Sequence, residues 1–118
     1  MKKTIGILLA SSVALIALAI PTLGSTAGQS VRVNEVDGRI SLSARPRSGA
    51  VKFVVRNRGD EGHDLWLRGG GKRWKTRVLG VGSGATLTVR LKKGVRYSYW
   101  CGVSDHAQEG MRGSFRAR

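Results

Sequence analysis

The stretch Trp100-Cys-Gly-Val-Ser-Asp-His-Ala-Gln-Glu-Gly-Met111 decides how the rest of the chain is read. It sets Cys101, His106 and Met111 in the spacing Cys-x4-His-x4-Met, and the other histidine, His63, stands well upstream in Asn57-Arg-Gly-Asp-Glu-Gly-His63. Apart from Met1, these four residues are the chain's whole stock of Cys, His and Met. A thiolate, two imidazoles and a thioether form the donor set of a type 1 copper site, where a trigonal Cys and His pair holds the metal and a distant sulfur tunes it. Zinc uses the same atom types. Copper is expected because the single thiolate and thioether are soft and divalent copper outcompetes its neighbours at N and S sites.

Outward from that stretch, the chain reads as short β-prone runs broken by Gly, Asn, Asp and Ser, with no sustained helical spacing. Val31 to Val36 alternates, Asp37-Gly38 is a tight-turn pair, and Arg39 to Leu42 returns, which predicts a hairpin. Val51 to Arg56 is the strongest core strand, and Asp64 to Leu67 follows the first histidine. Gly69-Gly-Gly-Lys-Arg-Trp-Lys75 reads as an exposed flexible loop. Ala85 to Leu91 alternates again. Arg96 to Cys101 puts Tyr97, Tyr99 and Cys101 on one face, and Gly113 to Ala117 closes the domain. The expectation is all-β, a sandwich of about seven or eight strands.

The N-terminus is of another kind. Met1-Lys2-Lys3 is a basic head, Ile5 to Ile20 is an apolar run, and Pro21 opens a polar stretch ending Ser25-Thr26-Ala27. This is the layout of a secretory signal peptide over residues 1-27, with an uncleaved anchor as the alternative and residues 28-118 as the domain. The run is shorter than the roughly 20 residues that a spanning helix needs. An exported protein in the periplasm or cell envelope is expected. An unpaired cysteine there needs a reason, which metal ligation supplies, with burial as a small hydrophobe as the plainer one.

The 118 residues carry 21 Lys and Arg against 7 Asp and Glu, a formal charge of +14. Export takes the chain away from nucleic acid, so the charge reads as solubility or as steering toward an acidic redox partner or an anionic envelope surface. Leu65 to Ser104 contains no acidic residue, whereas Asp60, Glu61, Asp64, Asp105 and Glu109 crowd the two ligand segments. Carboxylates around the metal favour its oxidised form, so neutralising Asp105 and Glu109 is expected to raise the reduction potential. No nucleophilic triad or phosphate loop stands out, and both histidines are already assigned, so no enzyme is expected.

From Val51 to the C-terminus the chain resembles the cupredoxin family, which includes plastocyanin and azurin. The residues that carry the likeness are Val51 to Asn57, Gly62-His63, Gly84 to Val89, Gly94 to Cys101, His106 and Gly110-Met111-Arg-Gly113. The resemblance implies a Greek-key sandwich with one copper. His63, Cys101 and His106 would be in-plane ligands and Met111 the weak axial one. It also implies that the Asp64 amide donates to the cysteine sulfur. Relatives often carry Asn here, whose side chain ties the ligand loops together, and a carboxylate cannot donate as that amide does. By the same likeness His106 offers its ring edge to partners, beside Val103 and Ala107. Trp100 offers a second route through the Cys101 thiolate, or simply packs on the sandwich edge. Single-electron transport by a monomer follows as the expected function, with copper storage or delivery as the alternative.

Overall fold

The computed structural model describes residues 1–19 and 28–118. Residues 1–19 carry no helix or strand, and among the described residues no helix is long and apolar enough to cross a membrane. The cleavage point expected after Ala27 lies outside the described residues.

Eight strands follow: β1 (Gln29–Val36), β2 (Arg39–Leu42), β3 (Gly49–Asn57), β4 (Trp66–Gly69), β5 (Lys72–Lys75), β6 (Gly84–Leu91), β7 (Arg96–Trp100) and β8 (Arg112–Arg116). They form two four-stranded sheets, ordered β2-β1-β3-β6 and β5-β4-β7-β8. Only β1 and β3 pair in parallel. The expected all-β sandwich is present.

Alternation dictates which side of each strand is buried. Val31 and Val33 of β1, Val51, Phe53 and Val55 of β3, and Val89 and Leu91 of β6 point inward from the first sheet. Leu67, Tyr97 and Phe115 meet them from the second. Phe115 sits at the middle, its ring 5.5 Å from Tyr97 and 6.2 Å from both Phe53 and Tyr99.

The segment expected to be a flexible loop, Gly69 to Lys75, is instead a hairpin. Gly70 and Gly71 both adopt positive φ, 59° and 76°, the conformation of a two-residue turn whose twist suits the flanking strands. Lys72–Lys75 can therefore fold back on Trp66–Gly69 as an edge strand whose charges discourage further pairing. The Gly-rich composition that suggested flexibility is the requirement of the turn.

Register brings the ligand-bearing segments to one end. Glu35 of β1 lies opposite Asn57 of β3, so the Asp37-Gly38 turn and the loop after Asn57 emerge together. Trp66 pairs with Trp100, which sets the start of β4 beside the end of β7, where Cys101 follows. Gly110 at φ 117° lets the loop before β8 lie against the Gly38 carbonyl, where a Cβ would not fit.

One inward position of β1 is occupied by a carboxyl. Glu35 is fully buried and neither oxygen has a hydrogen-bond partner among the described residues. Burial, helped by repulsion from Asp64, pushes its pKa from 4.5 up to about 8. The folded chain therefore holds a proton that the unfolded chain releases, and stability is lost as pH rises from 4.5 toward 8. Denaturant melts of the metal-free protein should lose on the order of a few kcal/mol across that window. Glu35→Gln should remove most of the slope, and identical slopes in the two proteins would refute the assignment.

Candidate metal centre

His63 reaches the site from a loop that the backbone fixes at both sides. Its N–H donates to the Leu79 carbonyl at 3.1 Å and its carbonyl accepts from the Leu79 N–H at 2.6 Å. Asn57, fully buried, organises the turn before it. Its amide donates to the carbonyls of Glu61 (2.7 Å) and Leu79 (2.9 Å), and its side-chain oxygen accepts from the Gly59 N–H at 2.9 Å. Every polar atom of that side chain is used, as a buried amide requires.

The second loop is tied just as closely. The Cys101 N–H donates to the Met111 carbonyl at 3.0 Å, and the Met111 N–H donates to the His106 carbonyl at 3.0 Å. Turns from Val103 to Gly110 close the gap, with Ser104 at φ 48°. The main chain thus links Cys101, His106 and Met111.

The side chains converge. His63 Nδ1 lies 3.1 Å from His106 Nδ1, and Cys101 Sγ lies 3.8 Å and 3.7 Å from those two nitrogens. A point equidistant from three such corners lies roughly 2 Å from each, close to the length of a metal bond to imidazole nitrogen. His63, Cys101 and His106 form the cluster able to hold a metal among the described residues, and all three are buried. Two nitrogen lone pairs and a sulfur facing one another in a buried space are poorly satisfied without a cation, so the residues fit a metal ion. Met111, also fully buried, completes the stock of soft donors at this end.

Burial pushes the Cys101 thiol up, while main-chain N–H groups of Asp64 and Val103 pull the other way by donating to the sulfur. The Asp64 main chain thus lies on the side of the sulfur that the resemblance implied. Its side chain departs from the Asn pattern in a way the resemblance did not supply. Asp64 Oδ1 accepts from the Gly102 N–H at 2.6 Å and Oδ2 accepts from Trp66 Nε1 at 3.0 Å. The carboxylate ties the ligand loops together by accepting.

His106 differs from the expected exposed edge. It is 7 % exposed, and its outer nitrogen, Nε2, lies 2.7 Å from Glu61 Oε2. The outer nitrogen of His63 likewise lies 2.8 Å from Asp37 Oδ1. Main-chain donation from Asp60, then the His63 contact, holds the Asp37 carboxyl below its usual range. Asp37 was legible only as a turn residue, and no spacing signal marks it as a neighbour of His63. Asp105 and Glu109, singled out in the sequence, are solvent-exposed.

Trp100 faces outward. It stacks on Trp66, ring centroids 5.8 Å apart at 13°, with the Arg68 guanidinium over Trp100 and Arg73 and Lys75 over Trp66. Arg112 lies opposite Trp100 in the register. None of β4, β5, β7 and β8 contains an Asp or Glu. The tryptophan pair thus sits in an entirely cationic sheet, an arrangement that the sequence showed only as scattered aromatics.

No family model matches the sequence, and no curated protein matches it either. Solved structures do. A dithionite-reduced auracyanin from the photosynthetic bacterium Roseiflexus castenholzii superposes with a TM-score of 0.64 at 14% identity, covering 78% of this chain and 98% of that one. Auracyanin B gives 0.65 at 18% identity over 76% of this chain and 88% of that one. An oxidised amicyanin mutant gives 0.52 at 15% identity over 75% and 81%. The two sheets, their strand order and these likenesses agree: the chain has the cupredoxin fold.

Proposed function

We propose that the protein carries single electrons through one type 1 copper ion held by His63, Cys101 and His106, with Met111 as the weak axial ligand. The convergence of one buried thiolate sulfur and two imidazole nitrogens is the observation that carries this reading. Bound copper would supply a reversible one-electron couple. The chain's part is to hold the donors still: loops fixed by Asn57, Asp64 and the Leu79 bridge leave little room for the ligands to rearrange between oxidation states. Similarity to one protein solved reduced and another solved oxidised agrees with a redox role.

Storage or delivery would use the same atoms but needs an exchangeable site. The three donors are at most 7 % exposed, which favours retention of the metal and hence the carrier. A copper oxidase or nitrite reductase needs further histidines, and this chain has only two. Export to the periplasm or cell envelope belongs to the same reading, supported by the basic head and the apolar run from Ile5 to Ile20.

The route outward runs through Trp100. Glu61 covers the His106 edge, whereas Trp100 follows directly from the sulfur ligand in the chain and stacks on Trp66 at a half-exposed surface. The cations around that pair suit an acidic redox partner.

Cupric ion added to the purified protein should give an intense visible band and reversible one-electron cycling. Cys101→Ala should abolish the band, and a colourless wild-type protein would reject the reading. Asp64→Ala leaves the Gly102 N–H and Trp66 Nε1 without their acceptor, so it should cost about 2 kcal/mol of stability and speed copper loss to a chelator. Unchanged melting and off-rate would show that the loops are held otherwise. Electron exchange with an acidic partner should slow as salt rises, and replacing Arg68, Arg73 and Lys75 by Gln should slow it at low salt. Rates indifferent to both changes would remove the cationic face from the docking surface.

A further inference from the structure

Each imidazole at the metal centre has two nitrogens, and both rings are placed alike. Nδ1 turns inward to the cluster and Nε2 turns outward to a carboxylate, Asp37 for His63 at 2.8 Å and Glu61 for His106 at 2.7 Å. A ring that donates its Nε2–H keeps the Nδ1 lone pair free for a metal, and a carboxylate acceptor also makes that lone pair more basic.

The first contact is built, not incidental. Both Asp37 oxygens accept from the Asp60 N–H at 3.1 Å, so the carboxylate is clamped between the first hairpin and the His63 loop. Gly59 is buried against the pair, and a Cβ there would fall on Asp37 Oδ1 and His63 Nε2. The second contact is looser. The Glu61 side chain is 61% exposed, although its main-chain carbonyl is held by Asn57. His106 itself is almost fully covered, so Glu61 lies over the only outward nitrogen of that ring.

We infer that Asp37 and Glu61 are positioning residues of the metal centre: by accepting from the outer nitrogens of His63 and His106 they orient both rings and favour the oxidised metal. The inference rests on the copper reading above, since it takes those histidines as ligands. Two negative charges placed one imidazole away from the ion stabilise the divalent state more than the monovalent one. The effect on Cu(II) affinity should therefore exceed that on Cu(I), and the difference is the potential.

The test measures Cu(II) and Cu(I) affinities by chelator competition, and the reduction potential directly, in the full chain and in Asp37→Asn, Glu61→Gln and Gly59→Ala. Loss of such a partner is expected to weaken Cu(II) binding by about 10–100-fold. If Cu(I) binding is tenfold less affected, the potential rises by about 59 mV. Gly59→Ala keeps every charge but pushes Asp37 off the ring, so it should move the potential in the same direction as Asp37→Asn. Asp37→Asn is nearly isosteric and keeps the proposal testable if the alanine variant does not fold. Equal losses for the two oxidation states, with an unmoved potential, would reduce Asp37 and Glu61 to structural residues and overturn the inference. So would wild-type affinities in the variants of a protein that does bind copper. A wild-type protein that gives no copper band overturns the site reading and this inference together.

Discussion

A single carboxylate accepting from two directions holds the centre together. Asp64 follows His63 in the chain, and its oxygens take the Gly102 N–H on one side and the Trp66 indole N–H on the other. The residues that must meet, His63 and Cys101, are far apart in sequence and come from different loops. Hydrogen bonds to a charged acceptor are among the stronger ones a protein makes, about 1.5–3 kcal/mol each, so this clamp is a substantial part of a small domain's stability. The sulfur lies beside the clamp, where the Asp64 main chain favours its thiolate. The residue that fixes the loops therefore also sets the surroundings of the sulfur.

Much of this was legible before any coordinates. Most of the β-runs, the first hairpin and the face shared by Tyr97, Tyr99 and Cys101 follow from alternation and turn chemistry, which are local. The cluster of His63, Cys101 and His106 was expected because the chain holds so few Cys, His and Met residues that chemistry left little choice. What stayed hidden depends on register. Asp37 meets His63 because β1 and β3 run parallel with Glu35 opposite Asn57, and a parallel pairing between non-consecutive strands leaves no local trace. The Trp66 and Trp100 stack likewise exists because β4 and β7 pair at that step. The segment from Gly69 to Lys75 was misread for a different reason: three glycines signal both floppiness and a tight positive-φ turn, and only the partner strand decides between them.

Charge is divided between loops and strands in a way the total of +14 conceals. Of the seven acidic residues, only Glu35 lies within a strand; the others stand in the turn after β1, the loop after β3 and the loop after β7. Those are the segments that build the metal centre. The four-stranded sheet carrying Trp66 and Trp100 is cationic throughout. A cationic sheet thus adjoins acidic loops. For the acidic partner proposed above, this division would favour approach at the tryptophan face over approach at the carboxylate-bearing loops.

Which carboxylates govern the metal follows from distance and screening. Two unit charges 4 Å apart interact by about 1 kcal/mol in bulk water and about 4 kcal/mol at the effective dielectric of a protein surface. Asp105 and Glu109 are exposed, and in physiological salt exposed charges fade over a Debye length of about 8 Å. Asp37 and Glu61 are themselves partly exposed, but they touch the ligand rings, and only a buried imidazole separates each from the cluster. Proximity is what distinguishes this pair from Asp105 and Glu109. Glu35 adds little negative charge at neutral pH because burial keeps it protonated. With copper held as proposed, the two hydrogen bonds at the backs of the rings would weigh more on its potential than exposed Asp105 and Glu109.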